Sequence, residues 1–550
     1  MTAGISQRTL SRRDLVKGGS AVTALIAMGA PNIARLASAQ DAEQVLRMSA
    51  LTPINATGPF DLALIGGGPG IQMANMMFEG LTVFDWNAHQ VVAAAADTWE
   101  LSADNLTYTF HLKQGMLWSD GSPLTAHDYE YAMKRNLDPA LAAPLASFLY
   151  PIKGAEDYNT GKTTDTSTIA VTATDDLTLT MVMSDVTSYW PSILTLWTCF
   201  PINEKSIDAG GADWMQPETL ITNGRYTMES WTPDQSMVLA RNENFHGDKP
   251  GITKIEYTLF QNENEQALAV FQTGDLDTAP VSAANLDFVK SDPDLSKLLT
   301  IFPISGTWQL RLDMSNTASV ISNVDVRKAL YLAIDRDVLA NNVLKGVPTP
   351  AYILTSPDIP SYDESARLEG TLDDAKTYLA NAGYPDGANF PGFKLGYVSS
   401  QQDAQLACEA IVQMWKDNLG ITAEAFAVPT DWRQRIKTEK FDMYYGGWTT
   451  DYPDPHEWHD VVFAGDAWQS HWTDQKYLDM VHAASIEPDN TKRYQMYADA
   501  EKYMIQDQMA TIPLMTQRRP WVVQTWVQNL DVAPLDGPLI KINAVTIAAH

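Results

Sequence analysis

The densest run of metal-capable side chains is His456-Glu457-Trp458-His459-Asp460. Two histidines three residues apart share one face of a helix, and imidazole is a common metal ligand. The spacing is His-Glu-x-His, one residue short of the His-Glu-x-x-His in which a glutamate serves as the base of a zinc protease. A second candidate is Asp61-Leu62-Ala63-Leu64-Ile65-Gly66-Gly67-Gly68-Pro69-Gly70, a strand-plus-glycine start suited to a flavin or nicotinamide dinucleotide. Asp85, nineteen residues after Gly66, stands near the place of a ribose-binding acid. Against that reading, Ile71 occupies the third glycine position, where helix and strand must pack closely. No Gly-x-Ser-x-Gly elbow and no phosphate loop occurs, so an exported peptidase has little support. Cys199 and Cys408 cannot build a disulfide framework and form no Cys-x-x-Cys pair. A single bridge is possible, and buried free thiols are the expected state.

These groups must be positioned by a chain of 550 residues, enough for two or more domains. Hydrophobic residues make up 45%, which marks a globular protein. A formal net charge of -29 excludes a basic nucleic-acid footprint and sets the body of the protein against anionic membranes. It favours cationic or zwitterionic partners. Sixteen tryptophans and 21 tyrosines suit a surface that binds varied ligands, although core packing must account for most of them.

The first forty residues read as an address. Ser11-Arg12-Arg13-Asp14-Leu15-Val16-Lys17 is a twin-arginine pattern, an apolar run follows from Ala21 to Ala30, and Ala37-Ser38-Ala39 supplies small residues for cleavage. The run is shorter than the ~20 residues that span a bilayer, so a signal peptide cleaved near Ala39 is expected. No cysteine lies there to take a lipid. Twin-arginine export carries folded proteins, often with a cofactor, which keeps a redox alternative open.

Beyond the leader, strands and helices mix throughout. Leu106–Leu112 and Leu177–Met183 alternate as half-buried strands do. Asp325 is expected to cap a helix from Val326 to Asp335. A second helix spans Leu372 to Ala382, with Asp373 and Asp374 at its positive end and Gly383 as terminator. This mixture argues for α/β lobes.

Eight stretches then resemble, in order, the family 5 extracellular solute-binding proteins, the oligopeptide- and dipeptide-binding components of ABC importers. They are Phe78-Glu79-Gly80-Leu81-Thr82, Asp97-Thr98-Trp99-Glu100, Trp118-Ser119-Asp120-Gly121-Ser122-Pro123-Leu124-Thr125-Ala126-His127-Asp128, Thr222-Asn223-Gly224-Arg225-Tyr226, Gly274-Asp275-Leu276-Asp277, Val326-Arg327-Lys328-Ala329-Leu330 with Ile334-Asp335-Arg336, Ala382-Gly383-Tyr384-Pro385, and Gly447-Trp448-Thr449-Thr450-Asp451-Tyr452-Pro453-Asp454-Pro455. Most read as turns or structural pairs: in Trp-Ser-Asp-Gly the glycine supplies a positive φ and the aspartate bonds its own backbone. Asp335-Arg336 reads as a structural or surface charge pair.

The resemblance implies a two-lobed periplasmic-binding-protein fold of the α/β class with an inserted subdomain. It divides the chain into a signal peptide (1–39), lobe I (40–84), an inserted subdomain of lobe I (85–180), lobe I again (181–303), lobe II (304–518) and a return to lobe I (519–550). It implies a periplasmic monomer that is not an enzyme, holds no cofactor or metal, and passes a peptide to membrane permease subunits of an importer. In peptide-binding relatives the acid at the position of Asp451 meets the ligand's α-ammonium, and a charge-assisted bond suits a closed cleft. Gly447, Trp448 and Thr449 would offer backbone to an extended ligand and a flat wall beneath it. Tyr445 stands where oligopeptide-binding members often have a basic residue, and Asp403 falls where some relatives use a histidine for the ligand carboxylate. Arg433 and Arg435 are candidates for a carboxylate clamp. The family also binds opines, nickel complexes, haem and oligosaccharides, so a non-peptide solute is the alternative.

Overall fold

The half-buried alternation read at Leu106–Leu112 is borne out over Thr107–Leu112: Tyr108, Phe110 and Leu112 are buried and the residues between them partly exposed. The computed structural model describes residues 44–51, 61–65, 69–429, 441–465, 470–535 and 539–550. The expected signal peptide, Gly66, Gly67, Gly68, Arg433 and Arg435 lie outside the described residues.

Strands run in chain order as β1 (Val45–Leu51), β2 (Thr82–Asp85), β3 (Gln90–Ala93), β4 (Ala96–Leu101), β5 (Thr107–Leu112), β6 (Val171–Asp175), β7 (Thr178–Val182), β8 (Tyr226–Thr232), β9 (Ser236–Arg241) and β10 (Lys254–Phe260). They continue as β11 (Thr278–Pro280), β12 (Leu299–Leu312), β13 (Thr349–Pro350), β14 (Phe393–Val398), β15 (Ala423–Val428), β16 (Met443–Thr449) and β17 (Thr511–Val523). One four-stranded sheet has the order β1-β10-β9-β8, and another β4-β5-β7-β6. A seven-stranded sheet runs β11-β17-β12-β16-β14-β15, with β13 beside β17. The fold is two-lobed α/β, with a separate hydrophobic core in each lobe: one gathers Leu46, Phe110, Trp190 and Tyr257, the other Leu330, Trp415, Met443 and Ile512.

The two long strands β12 and β17 take part in both cores. Phe302 and Trp521 pack edge to face at 5.8 Å in the first core, whereas Leu310, Leu312, Ile512 and Leu514 belong to the second. Between these ends the register slips from Pro303↔Arg518 to Thr307↔Thr516. A bulge there interrupts the ladder and bends the strand, and a second register shift follows between Trp308 and Gln309.

Three of the motifs are packing devices, those at Glu79, Asn223-Gly224 and Asp277. Asn223 and Glu79 exchange hydrogen bonds, with Asn223 Oδ1 accepting from Glu79 N at 3.1 Å and Asn223 Nδ2 donating to Glu79 O at 2.9 Å. A Cβ on Gly224 would lie 2.4 Å from the Met77 carbonyl carbon, so only glycine permits that approach. Asp277 accepts from Arg47 and from the Trp526 indole, tying β1 to the segment that follows β17.

Several expectations need correction. The helix Val324–Leu332 is capped by Asn323, whose side chain accepts from Asp325 N; Asp325 sits in the first turn, where its charge suits the helix dipole. Arg336 is buried and donates to the carbonyls of Ala351 and Pro513, so it clamps backbone instead of forming the structural or surface charge pair read with Asp335. The Leu372–Asn381 helix is as read, with a Thr371–Asp374 capping box and Gly383 at positive φ. Both cysteines are buried free thiols. The dinucleotide reading loses its frame: 62–64 form a turn, Asp61 takes the Arg135 guanidinium at 2.8 Å, and β2 pairs antiparallel with β3. A mononucleotide fold needs a parallel strand–helix–strand unit there.

Candidate functional site

The site grows from β16. On one side this strand pairs with β12 along its whole length, from Leu312↔Met443 to Gly306↔Thr449. On the other side β14 pairs only with Met443 and Tyr444. Beyond that point the edge at Tyr445, Gly447 and Thr449 has no neighbouring strand among the described residues, and the Gly447 carbonyl accepts from Arg311 Nη2 at 2.7 Å. Such an edge can accept an extended chain through main-chain hydrogen bonds.

Gly447 is explained by packing against its own sheet. A Cβ there would lie 2.6 Å from Trp308 Cε3 and 2.8 Å from Gln517 Nε2. The Trp308 ring is free to stack on Tyr445, with centroids 5.4 Å apart and planes 17° from parallel. Gln517 ties the end of β16 to β17: it accepts from Thr449 Oγ1 at 3.0 Å and donates to Trp448 O at 3.0 Å.

After Thr449 the chain turns, and Glu457 holds the turn. Its carboxylate is fully buried and accepts from Trp448 Nε1 at 2.6 Å, Asp451 N at 2.9 Å and Tyr452 N at 3.1 Å. Burial, followed by the charge of Asp451, raises the Glu457 carboxyl above its ordinary range, and the N–H donors oppose the rise. Asp451 itself is half-buried. Tyr452 reaches the first core, where Phe148 meets it edge to face at 5.8 Å. Asp454 forms a fully buried bidentate pair with Arg493, both contacts at 2.7 Å, and accepts from Ser192 Oγ at 3.1 Å. Burial works against the Asp454 charge, but Arg493 holds its pKa below the usual carboxylate range. One short segment therefore leaves the second core and docks on the first.

The metal reading of this segment meets a different geometry. His456 Nδ1 bonds the Tyr452 hydroxyl and its ring stacks on Tyr189, while His459 Nδ1 bonds the Tyr477 hydroxyl. Burial lowers both imidazoles to about 3. Among the described residues no cluster of three or more His, Cys, Asp or Glu could hold a metal ion.

A cavity of about 360 Å³ opens on one face of the long sheet. Four adjacent strands floor it: Val281 just after β11, Arg518 and Pro520 of β17, Trp308 of β12 and Tyr445 of β16. Gln401, Gln402 and Asp403 stand over it at the start of the helix Gln402–Leu419, which leaves the C-terminal end of β14. That helix leads to β15 on one side of β14 while β16 lies on the other. Such a switch point at the carboxyl end of parallel strands is where open α/β sheets form crevices. Of the residues singled out in the sequence, Tyr445 and Asp403 meet in this cavity. Gly447, Trp448, Thr449 and Asp451 line up along β16 and its turn, outside the cavity lining. Sequence reasoning missed Glu457 as a brace, and it missed Gln517, Trp308, Arg518 and Lys345. The available signal was the polar run Gln517-Arg518-Arg519 inside an otherwise apolar strand.

The model of bacterial extracellular solute-binding proteins, family 5, matches residues 90–470. The chain is 31% identical over 471 residues to the oligopeptide-binding protein OppA of Bacillus subtilis (strain 168), covering 82% of this chain and 83% of that one. It is 28% identical over 538 residues to the periplasmic oligopeptide-binding protein OppA of Escherichia coli (strain K12), covering 94% and 95%. Among solved structures, the unliganded open form of the periplasmic murein tripeptide binding protein MppA superposes with a TM-score of 0.79 at 24% identity, over 92% of this chain and 98% of that one.

Proposed function

Because the chain belongs to the bacterial extracellular solute-binding proteins of family 5, we propose that it is the extracytoplasmic solute-binding component of an ABC importer and captures a peptide between its two lobes. The observation that carries this reading is the open edge of β16 running into the Asp451 turn. A peptide laid along this edge is bound through its main chain, whatever its sequence, at the backbone groups that Arg311, already on the Gly447 carbonyl, leaves open. Its α-ammonium then falls to Asp451, whose backbone is fixed by Glu457. Trp448, held by its indole N–H, forms a wall beside the ligand. Tyr445 and Asp403 face the cavity at the other end.

The lobes close about the bulged crossing of β12 and β17, with boundaries at 303/304 and 518/519. Closure follows only if the ligand binds the closed state better than the open one. Export by the twin-arginine route, cleavage near Ala39, action as a monomer and the absence of catalysis or cofactor complete the proposal.

Native mass spectrometry of protein purified without unfolding is the direct test. A mixed set of short peptides supports the reading, and one defined non-peptide molecule replaces the ligand class. Asp451→Asn is expected to weaken peptides with free N-termini by about 2–5 kcal/mol in calorimetry. Equal wild-type affinity for N-acetylated peptides would sink the anchor.

A further inference from the structure

The cavity carries three charged side chains that are used very differently. Lys345 is engaged, donating to Asp287 Oδ2 at 2.7 Å and to the Ala283 carbonyl. Arg518 makes a single hydrogen bond, from Nη2 to Ile301 O at 3.3 Å, which leaves most of its donor fork unspoken for. Asp403 is exposed in the first turn of its helix; burial in the cavity raises its carboxyl and the Lys345 ammonium across the cavity opposes the rise, but Lys345 is bonded to Asp287 and not to Asp403. Between them the walls are mostly aliphatic, with Leu286, Val347 and Pro520 among them.

We propose that this cavity takes the carboxyl-terminal residue of the ligand and selects a basic one, Arg518 holding the carboxylate and Asp403 the cationic side chain. The assignment rests on the peptide reading above and names the ligand class within it. A planar guanidinium with free donors matches a carboxylate bidentately. A basic residue carries an aliphatic stem and a terminal cation, which matches aliphatic walls ending at an acid. At about 360 Å³ the cavity is at the small end of ligand pockets, which run ~300–1,000 Å³, so it suits the end of a ligand rather than its whole length. Tyr445 and Trp308, stacked on each other, floor it with rings that add no competing charge. The chain's acidity favours the same ligand sign.

The test is calorimetry on one tripeptide series, ending in lysine, in norleucine, or in lysine amide, with wild type, Asp403→Asn, Arg518→Gln and Asp451→Asn. Wild type is expected to prefer the lysine end to norleucine by roughly tenfold, and Asp403→Asn to bring that ratio near one. Arg518→Gln is expected to weaken the free acid by roughly 10- to 100-fold and the amide much less. Arg518→Lys, which keeps the charge and loses the fork, should recover part of the loss and serves if the glutamine variant does not fold. A wild type that binds all three peptides without preference overturns this assignment alone, as does an Asp403→Asn protein that keeps the lysine preference. A wild type that binds none of them overturns the peptide reading together with it.

Discussion

Glu457 stands in the one stretch where sequence spacing invited a metal, yet its oxygens are occupied by three N–H groups. A buried carboxylate needs such partners, and buried donors need an acceptor equally. Removing the acceptor leaves the Trp448 indole and the Asp451 and Tyr452 amides unsatisfied. Glu457→Ala should therefore lower stability by about 2–4 kcal/mol and weaken ligand binding as well. Urea denaturation measures the first; a loss under about 1 kcal/mol would mean that the turn holds without the brace. The same logic explains Arg327 and Arg336. Both are buried and donate to main-chain carbonyls, which fixes loops of the second lobe.

The informative element is β16. It is central by its place in the sheet order but edge-like over half its length, because β14 departs after Tyr444. Its glycine at 447 is required by the Trp308 ring and the Gln517 amide. Gly447→Val is expected to displace Trp308 from Tyr445, cost about 1–3 kcal/mol and reduce ligand affinity. A crystal structure of the variant with Trp308 unmoved, or unchanged affinity by calorimetry, would count against the role given to this contact. Overpacking here acts on the strand face that floors the cavity, so stability and binding should fall together.

Over the whole molecule, two cores are joined by β12 and β17, and the Asp451–His456 segment of the second lobe docks against Phe148, Tyr189 and Ser192 of the first. The buried Asp454–Arg493 pair anchors that segment to the helix Asn490–Lys502. Closure on a peptide should reduce the radius of gyration in small-angle scattering, as hinge-bending proteins do around their ligands. An unchanged radius at saturating peptide would leave binding intact but remove hinge closure from the mechanism.

The order of short motifs, the strand alternation at Thr107–Leu112 and the capped helix at Leu372–Asn381 are local properties, settled by residues within a few positions of one another, and sequence alone was sufficient for them. So was the family, because eight local stretches kept their order. The cap at Asn323 instead of Asp325 marks the limit of that reading, since either side chain satisfies the same rule. The site was decided by tertiary structure. Its cavity unites Val281, Trp308, Asp403, Tyr445 and Arg518, which no periodicity relates, because strand order in the sheet differs from order in the chain. The use of Glu457 was hidden for the same physical reason: an acid in a histidine-rich run becomes a brace only when burial and three converging N–H groups remove it from solvent.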